Sequence, residues 1–366
     1  MSLGPGPVLQ FLPDGSAGGG GTVVLGLVES LVPEVETHVL TERNSYVADR
    51  AGALGATVHE GSFFRRRFDF EAMRTFESAV AASKPTLIHL HGGRALFFAR
   101  RVRHPAIVYT VHGYHFLHRG FVDRILGRFV ERASIGNVRE VVFVCEYDRK
   151  LGQEMGALPP GVPSRVIYNG VERPTMEPPE PCPGQIAFLS RLVYQKDPLL
   201  AVEVMRQLTA DGFRLVMIGG GDMEGLVRQA AADLGPSVDV RGSVSRETAL
   251  RLVAESEVML MTSRWEGLPL APLEAMSLGV PVVAPAVAGI PEIVDSGIDG
   301  MLVEDRDPAS FATAIRSICD DPARKASIVA AARAKVDRVF SWKVCLEGYR
   351  GLYLEALEGS ASSRQS

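Results

Sequence analysis

The stretch RWEGLPLAPLEAMSLGVPVVAP, residues 264–285, decides the fold class of this chain. It follows EVMLMTS (257–263), a short apolar run that predicts a β-strand, and it ends in a second such run, VPVVAP (280–285). Between the two runs, Pro269 and Pro272 fit the first turn of a helix, where the missing proline N–H costs nothing. Strand, helix and strand in succession predict parallel strands joined by a crossover helix.

Two glutamates in this stretch are candidates for ligand binding. Glu266 lies in the predicted loop, and Glu274, separated from it by seven residues, lies about one turn inside the helix. The free amides and the dipole at a helix N-terminus favour a phosphate group, so both side chains would face a ligand bound there. A glutamate that complements the helix dipole, next to an exposed loop glutamate, is the alternative that the spacing alone leaves open.

The segment FLSRLVYQKDP (188–198) predicts a second loop between a strand and a helix. Arg191 and Lys196 precede a helix whose start is marked by Asp197 and Pro198. Two cations near a helix N-terminus are unfavourable unless an anion lies between them, and a diphosphate would supply that anion. Two solvated surface cations are the alternative.

A glycine-rich turn, GSAGGGGT (15–22), follows the first predicted strand. Its glycines let the backbone approach a ligand closely and open a helix whose amides would face that ligand. The segment does not match the G-x-G-x-x-G fingerprint of dinucleotide-binding proteins. Gly20 and Gly21 are the candidates here, and a plain flexible turn explains the segment equally well.

His112 ends the predicted strand AIVYTVH (106–112), at the edge of a parallel sheet where ligands bind. His89 and His91 share one face of another predicted strand. No cysteine or carboxylate accompanies them, so we expect structural roles for these two rather than zinc binding.

Apolar runs and helical patterns alternate on both sides of a segment with five prolines between Pro174 and Pro183. The alternation predicts two doubly wound α/β domains, and the prolines predict a linker. The expected organisation is an N-terminal Rossmann-like domain (1–172), a linker (173–184), a C-terminal Rossmann-like domain (185–341), a helix that packs back on the N-terminal domain (342–357) and a disordered tail (358–366).

The motifs also resemble those of a known family, the family-4 retaining glycosyltransferases of the GT-B fold, or glycosyl transferases group 1. EGLPLAPLEAM (266–276) is similar to the E-x7-E element of this family, and Arg191 with Lys196 matches its R-x4-K element. The likeness extends from about residue 8 to about residue 350, although Leu268-Pro269 stands where the family often has Phe-Gly. It implies two Rossmann-like domains that face each other across a cleft, with the donor site mainly on the second.

The resemblance implies a role for each candidate in the second domain. Glu274 would hydrogen-bond the donor ribose, while Glu266, with the amides of Gly267 and Leu268, would contact the transferred sugar. The Arg191 and Lys196 side chains would neutralise the donor diphosphate, so that no metal or other cofactor is expected.

In the first domain the resemblance places His112 near the transferred sugar and the turn at Gly20 and Gly21 near the donor phosphate and the acceptor pocket. The context TVHGYHF (110–116) is similar to transferases of bacterial capsule and exopolysaccharide assembly. The expected function is therefore retaining transfer of a hexose-type sugar from a UDP- or GDP-type donor to a glycan, lipid-linked or small-molecule acceptor.

Composition limits the partners. The net charge of -4 argues against a dedicated nucleic-acid binder. Residues 1–175 carry a net charge of +3, which suits an anionic acceptor or a membrane surface, and residues 63–68 and 118–133 combine aromatic residues with arginines. With four scattered cysteines, no evident signal peptide and no membrane-spanning run, we expect a cytoplasmic protein, and peripheral contact with the inner membrane face stays open.

The sequence leaves four alternatives to the transferase. A sugar-nucleotide epimerase or a glycan phosphorylase would use the same architecture, and a catalytically silent protein would bind the same sugar nucleotide. An NAD-dependent dehydrogenase is more distant, because Glu42 lies roughly where a ribose-binding acid would lie but the glycine spacing is wrong.

Overall fold

The computed structural model describes residues 4, 6–64, 69–118, 120–175 and 179–362. The chain divides into two compact units, the first formed by Met1–Asn169 together with Cys345–Ser366 and the second by Gly170–Val344. Residues 65–68 of the arginine-rich segment, residue 119, residues 176–178 of the predicted linker and the last four residues of the predicted tail lie outside the described residues.

The described part of the first unit contains a seven-stranded parallel sheet. Its strands are β1 (Val8–Leu12), β2 (Thr37–Glu42), β3 (Thr57–Gly61), β4 (Leu87–His91), β5 (Ile107–Val111), β6 (Glu140–Phe143) and β7 (Ser164–Val166). Their order is β3-β2-β1-β4-β5-β6-β7, so the direction of winding reverses between β1 and β4. Five strands coincide with the apolar runs that the sequence predicts as strands, PVLQFL, THVLTE, TLIHLH, AIVYTVH and EVVFVCE, whereas the two edge strands, β3 and β7, were not predicted.

Helices cover the faces of this sheet. They are α1 (Gly19–Leu31), α2 (Tyr46–Ala53), α3 (Phe70–Ser83), α4 (Gly92–Ala99), α5 (Phe121–Ser134) and α6 (Glu146–Glu154). α1 begins within the glycine-rich turn, without a capping side chain. α3 begins at Asp69, whose carboxylate accepts hydrogen bonds from the amides of Glu71 and Ala72.

The second unit has the same kind of architecture. Its described strands form a six-stranded parallel sheet of order β10-β9-β8-β11-β12-β13: β8 (Gln185–Leu189), β9 (Arg214–Ile218), β10 (Val238–Gly242), β11 (Val258–Leu260), β12 (Val282–Pro285) and β13 (Met301–Val303). The helices are α7 (Pro198–Leu208), α8 (Glu224–Ala230), α9 (Arg246–Ala254), α10 (Leu270–Leu278), α11 (Ile290–Ile293), α12 (Pro308–Cys319) and α13 (Pro322–Val339). Winding reverses between β8 and β11.

The last helix, α14 (Trp342–Ser362), returns to the sheet of the first unit. Tyr349 and Tyr353 on this helix are fully buried, and the Tyr353 hydroxyl contacts Gln10 on β1. The helix runs to Ser362, so the predictions of a helix end at Leu357 and of disorder from residue 358 place the boundary too early.

A buried carboxyl anchors α5 to the first sheet. Glu131 of α5 accepts a hydrogen bond from the hydroxyl of Tyr109 on β5, and Gly93 of α4 leaves room for the carboxyl, since a Cβ there would lie 2.6 Å from Glu131 Oε2. Burial raises the pKa of Glu131 to about 7, and the Tyr109 hydrogen bond opposes that rise. Below about pH 7 the anchor of α5 is therefore a carboxyl that still holds its proton.

Glu131 should make folding stability depend on pH. Its pKa is higher in the folded chain, about 7, than its ordinary value of 4.5, so the folded state binds the extra proton between these values. The free energy of unfolding should then fall as the pH rises through this window, by roughly 3 kcal/mol. Urea unfolding at pH 4.5 and pH 7.5 should show this loss in the wild type and a much smaller loss in Glu131→Gln.

Glu29→Gln, at an exposed position on α1, provides the control and should keep the dependence of the wild type. A Glu131→Gln variant with the full wild-type loss would show that another group carries the effect.

Candidate active site

The predicted site residues of the second unit lie at the carboxyl ends of β8 and β11. These are the two strands between which the winding reverses, and ligands of open α/β sheets bind at that point. The loop from β8 to α7 carries Arg191 and Lys196, while the loop from β11 to α10 carries Glu266. Topology therefore brings side chains from two separate sequence motifs to one edge of the sheet.

The glycine run MIGGGD (217–222) holds the Arg191 turn in place. The amide of Ser190 donates to Ile218 O (3.0 Å) and the amide of Leu192 donates to Gly220 O (2.9 Å), so the pairing of β8 with β9 continues past the strand ends. A Cβ at Gly221 would lie 2.2 Å from Leu192 O. Close backbone packing is the reason for glycine at this position.

Asp197 links the two loops, a role that the sequence did not predict. We expected it to cap α7, but its φ of 47° is left-handed and its carboxylate makes no capping hydrogen bond. The carboxylate pairs instead with Arg264 (2.8 Å) and Arg306. The Thr262 hydroxyl adds hydrogen bonds to the carbonyls of Lys196 (3.0 Å) and Asp197 (2.8 Å).

An ion pair joins Lys196 to Glu266 across the same two loops. Lys196 Nζ donates to Glu266 Oε1, and Gln195 Nε2 lies 3.4 Å from Glu266 Oε2 and 3.0 Å from the carbonyl oxygen of Trp265. The Glu266 side chain is only 5% exposed and that of Lys196 16%. Each charge depends on the other, because burying either one alone is costly.

Glu274 lies inside α10 and is also buried. Arg246 Nη1, at the start of α9, is 2.5 Å from Glu274 Oε1, but this contact lacks hydrogen-bond geometry and Oε1 accepts no hydrogen bond within the described chain. A buried carboxylate oxygen with unused acceptor capacity is suited to a ligand hydroxyl.

The remaining predicted residues of this unit differ in exposure. Arg191 is exposed, and its side chain makes no ion pair with the part of the chain that the structure describes. Gly267 is half-buried, while the Leu268 side chain is buried, which leaves the predicted contribution of this loop to its backbone amides.

In the first unit, the predicted residues lie near the reversal between β1 and β4. His112 directly follows β5, and a Cβ at Gly20 would lie 3.9 Å from its ring, so the first turn of α1 passes beside the imidazole. Gly21 is buried, and a Cβ there would lie 3.1 Å from Ser16 O and from Val47 Cγ2. Gly20 is thus the glycine of this pair that lies next to His112.

His91 is buried beneath His112, with its Nδ1 3.1 Å from His112 Nε2, and His89 is buried beside it. Among the described residues, no group of three or more histidine, cysteine, aspartate or glutamate side chains is arranged to hold a metal ion. Nor does any described helix have the length and apolar character needed to cross a membrane.

Two family models match the chain, one in each unit. The model described as Glycosyltransferase Family 4 matches residues 17–173, and the model described as Glycosyl transferases group 1 matches residues 183–321. Together they account for most of the chain, and the second match contains both charged motifs.

Curated relatives are consistent with these matches. The amylovoran biosynthesis glycosyltransferase AmsK of Erwinia amylovora is 32% identical over 169 residues, which are 43% of this chain and 42% of that protein. Glycogen synthase of Mycobacterium tuberculosis is 28% identical over 298 residues, 75% of this chain and 70% of that enzyme. The matched part thus spans less than half of the amylovoran protein.

Solved structures share the fold. HepE of Anabaena, crystallised with UDP and glucose, superposes with a TM-score of 0.78 at 16% identity and covers 94% of this chain and 98% of its own. Sucrose-phosphate synthase of Thermosynechococcus elongatus gives a TM-score of 0.80 at 20% identity, covering 96% of this chain and 98% of its own. The chain therefore has the GT-B fold and belongs to the family-4 glycosyltransferases, the glycosyl transferases group 1.

Proposed function

We propose that this chain is a retaining glycosyltransferase that moves a hexose-type sugar from a nucleotide-diphosphate sugar to a glycan, lipid-linked or small-molecule acceptor. The observation that carries the proposal is the Lys196–Glu266 ion pair at the carboxyl ends of β8 and β11, with Arg191 in the same loop. The structural neighbours support a UDP-type donor, since HepE was crystallised with UDP and with UDP-glucose.

The side chains of the second unit account for donor binding and leaving-group departure. Arg191 is exposed within the loop from β8 to α7, and Lys196 can exchange Glu266 for a phosphate oxygen, so both stabilise the negative charge that develops on the departing diphosphate. Because two cations supply this charge, the proposed reaction needs no metal. Glu274 Oε1 has acceptor capacity for a ribose hydroxyl.

Retention of configuration follows if the acceptor attacks from the side that the diphosphate leaves. The departing phosphate oxygen takes the acceptor proton while the new glycosidic bond forms and the old sugar–phosphate bond breaks. In this scheme Glu266 and His112 orient the transferred sugar and neither becomes a nucleophile, which distinguishes it from the double displacement of retaining glycosidases.

The dehydrogenase alternative has a structural objection. The Glu42 carboxylate accepts hydrogen bonds from the amide of Phe63 (2.6 Å) and the hydroxyl of Ser62 (3.2 Å). Both carboxylate oxygens of Glu42 are therefore used to hold the segment after β3, rather than being left for a ribose hydroxyl. Epimerase, phosphorylase and silent binding protein are distinguished from the transferase by the products formed.

We also propose that α5 docks the first unit on an anionic membrane surface, which would bring it to a lipid-linked acceptor. Phe121, Val122, Ile125 and Phe129 are all more than half exposed and share one side of the helix. Arg124, Arg128 and Arg132 are exposed on the adjoining side, although Arg132 also donates to Gly156 O. Aromatic and aliphatic side chains flanked by arginines are typical of helices that lie in the membrane interface.

Loss of the Glu274 carboxylate should weaken donor binding. Removing a hydrogen bond to a charged group costs about 1.5–3 kcal/mol, so the Kd of Glu274→Ala for UDP should rise roughly tenfold or more. Titration calorimetry measures the change, with Glu203→Ala on α7 as the control that keeps the wild-type Kd. An unchanged Kd in Glu274→Ala would remove the ribose assignment.

Glu266→Gln should separate catalysis from nucleotide binding. The change frees Lys196 from its ion pair, so UDP should bind as tightly as before or more tightly, while the rate of sugar transfer falls roughly 100-fold. Lys196→Ala should weaken UDP binding and also lower the rate of sugar transfer. Transfer is followed by mass spectrometry of the products with a glycan acceptor, and an epimerised sugar nucleotide or a phosphorolysis product would favour the alternative enzymes.

Membrane docking should depend on both the apolar and the charged residues of α5. In sedimentation with vesicles, the wild type should bind phosphatidylglycerol-containing vesicles better than pure phosphatidylcholine. A Phe121→Ser/Phe129→Ser variant should lose binding to both, and Arg124→Gln/Arg128→Gln should lose only the preference for anionic lipid.

The control variant Leu226→Ser/Ile298→Ser changes exposed apolar residues of the second unit and should bind as the wild type does. A wild type that stays in the supernatant with both vesicles, or that covers α5 by forming dimers, would refute the docking surface.

A further inference from the structure

A chain of buried polar side chains runs through the sheet of the first unit and ends at His112. We call it the histidine network; its members are Gln10, His89, His91, Thr110, His112, Tyr349 and Tyr353. All except His112 are almost inaccessible to solvent. The proposed mechanism uses only His112, so the other members require an explanation of their own.

Hydrogen bonds connect the network without a break. His112 Nε2 lies 3.1 Å from His91 Nδ1, and His91 Nε2 lies 2.9 Å from Gln10 Oε1. Gln10 Nε2 donates to the Tyr353 hydroxyl (3.0 Å), which lies 2.6 Å from His89 Nδ1.

The far end of the network is held less tightly. His89 Nε2 is 2.7 Å from Thr110 Oγ1, and Thr110 Oγ1 is 3.4 Å from the Tyr349 hydroxyl. Tyr349 and Tyr353 lie one turn apart on α14 and are equally buried, yet only Tyr353 touches Gln10. The two tyrosines are therefore alike in burial and in their contact with the His89 ring, and they differ in their link to Gln10.

The direction of these bonds determines where each proton lies. Burial holds the pKa of His89 and of His91 well below the ordinary value, so each ring is neutral and carries one ring proton. Because the Gln10 amide donates to Tyr353, its carbonyl oxygen faces His91 and must accept from His91 Nε2–H. His91 Nδ1 then has only a lone pair, and it accepts from His112 Nε2–H.

We propose that His91, Gln10 and Tyr353 are positioning residues that hold His112 as its Nε2–H tautomer and keep the lone pair on Nδ1. Resting on the proposed function, this makes His112 an acceptor toward the sugar: Nδ1 is the ring nitrogen able to receive a hydrogen bond from a hydroxyl of the transferred hexose. A histidine with the opposite tautomer would present a donor there.

Burial of the network makes its arrangement of protons all-or-none. The opposite tautomer of His112 requires the protons of His91 to change places and the Gln10 amide to rotate by half a turn, so that its NH2 group faces His91. Any partial reversal leaves two donors or two acceptors facing each other, away from water. An exposed histidine has no such restriction.

The experiment is ¹⁵N NMR of the free, histidine-labelled protein, which distinguishes protonated from unprotonated ring nitrogens. Loss of a signal set in His112→Asn assigns His112. The wild type should show a protonated Nε2 and an unprotonated Nδ1 at neutral pH. A protonated Nδ1 with an unprotonated Nε2 would overturn the proposal.

Gln10→Glu should reverse the tautomer with almost no change of shape. The carboxylate stabilises a doubly protonated His91, whose Nδ1–H then donates to His112 Nε2 and moves the His112 proton to Nδ1. The transfer rate should fall about tenfold or more because the acceptor becomes a donor. An unchanged His112 spectrum in this variant would overturn the proposal.

Tyr353→Phe and Tyr349→Phe form a matched pair, since both remove one hydroxyl from the same buried helix. Tyr353→Phe releases the Gln10 amide, so His112 should show both tautomers and transfer should slow, whereas Tyr349→Phe should keep the wild-type spectrum and rate. Equal effects of the two changes would overturn the positioning role. The spectra need no substrate, so a wild type that transfers no sugar would refute the proposed function and leave the tautomer assignment standing.

Discussion

The pairing of Lys196 with Glu266 is the interaction on which the geometry of the second-unit site depends. Each charge lies at the end of a different strand, and neither is stable there alone, because its side chain is largely withdrawn from water. Their attraction, reinforced by Asp197 with Arg264 and Arg306, fixes the two loops relative to each other. A ligand anion that enters beside Lys196 therefore meets loops that are already in position, which reduces the cost of ordering them on binding.

The sequence predicted the interior strands and the edge strand β10, but it missed the other three edge strands, which share one physical feature. β1, β4 and β5 have neighbours on both sides and are buried throughout, so each appears as a mostly apolar run. β3, β7 and β13 lie at sheet edges and are short or partly exposed, and TVHEG or SRV has no apolar run to recognise. Each of these strands forms because the adjacent strand of the sheet supplies its hydrogen bonds. The local sequence pattern carries no information about that distant partner.

In the candidate site, the sequence likewise predicted some residues and missed others. Glu266, Glu274, Arg191 and Lys196 were predicted from the resemblance of their motifs to those of the family, and the structure places Lys196 in contact with Glu266. The partners that position them were not found: Arg246 is far from Glu274 in sequence, and Arg306 is farther still from Asp197. Asp197 precedes the first residue of α7, as predicted, but its carboxylate does not cap the helix and pairs instead with two arginines that are distant in sequence.

Buried polar residues in the first sheet pose the opposite problem, since Gln10, His89 and His91 interrupt apolar strands at a cost in desolvation. A strand needs no such residues for its own stability, and leucine or valine would pack without any partner to satisfy. Their cost is offset only if every donor meets an acceptor, and here that requires a tyrosine from α14, more than two hundred and fifty residues along the chain from His89. The return of the last helix to the first sheet thus has a chemical consequence as well as a structural one. It closes the hydrogen-bond network that gives His112, at the end of β5, a defined arrangement of its protons.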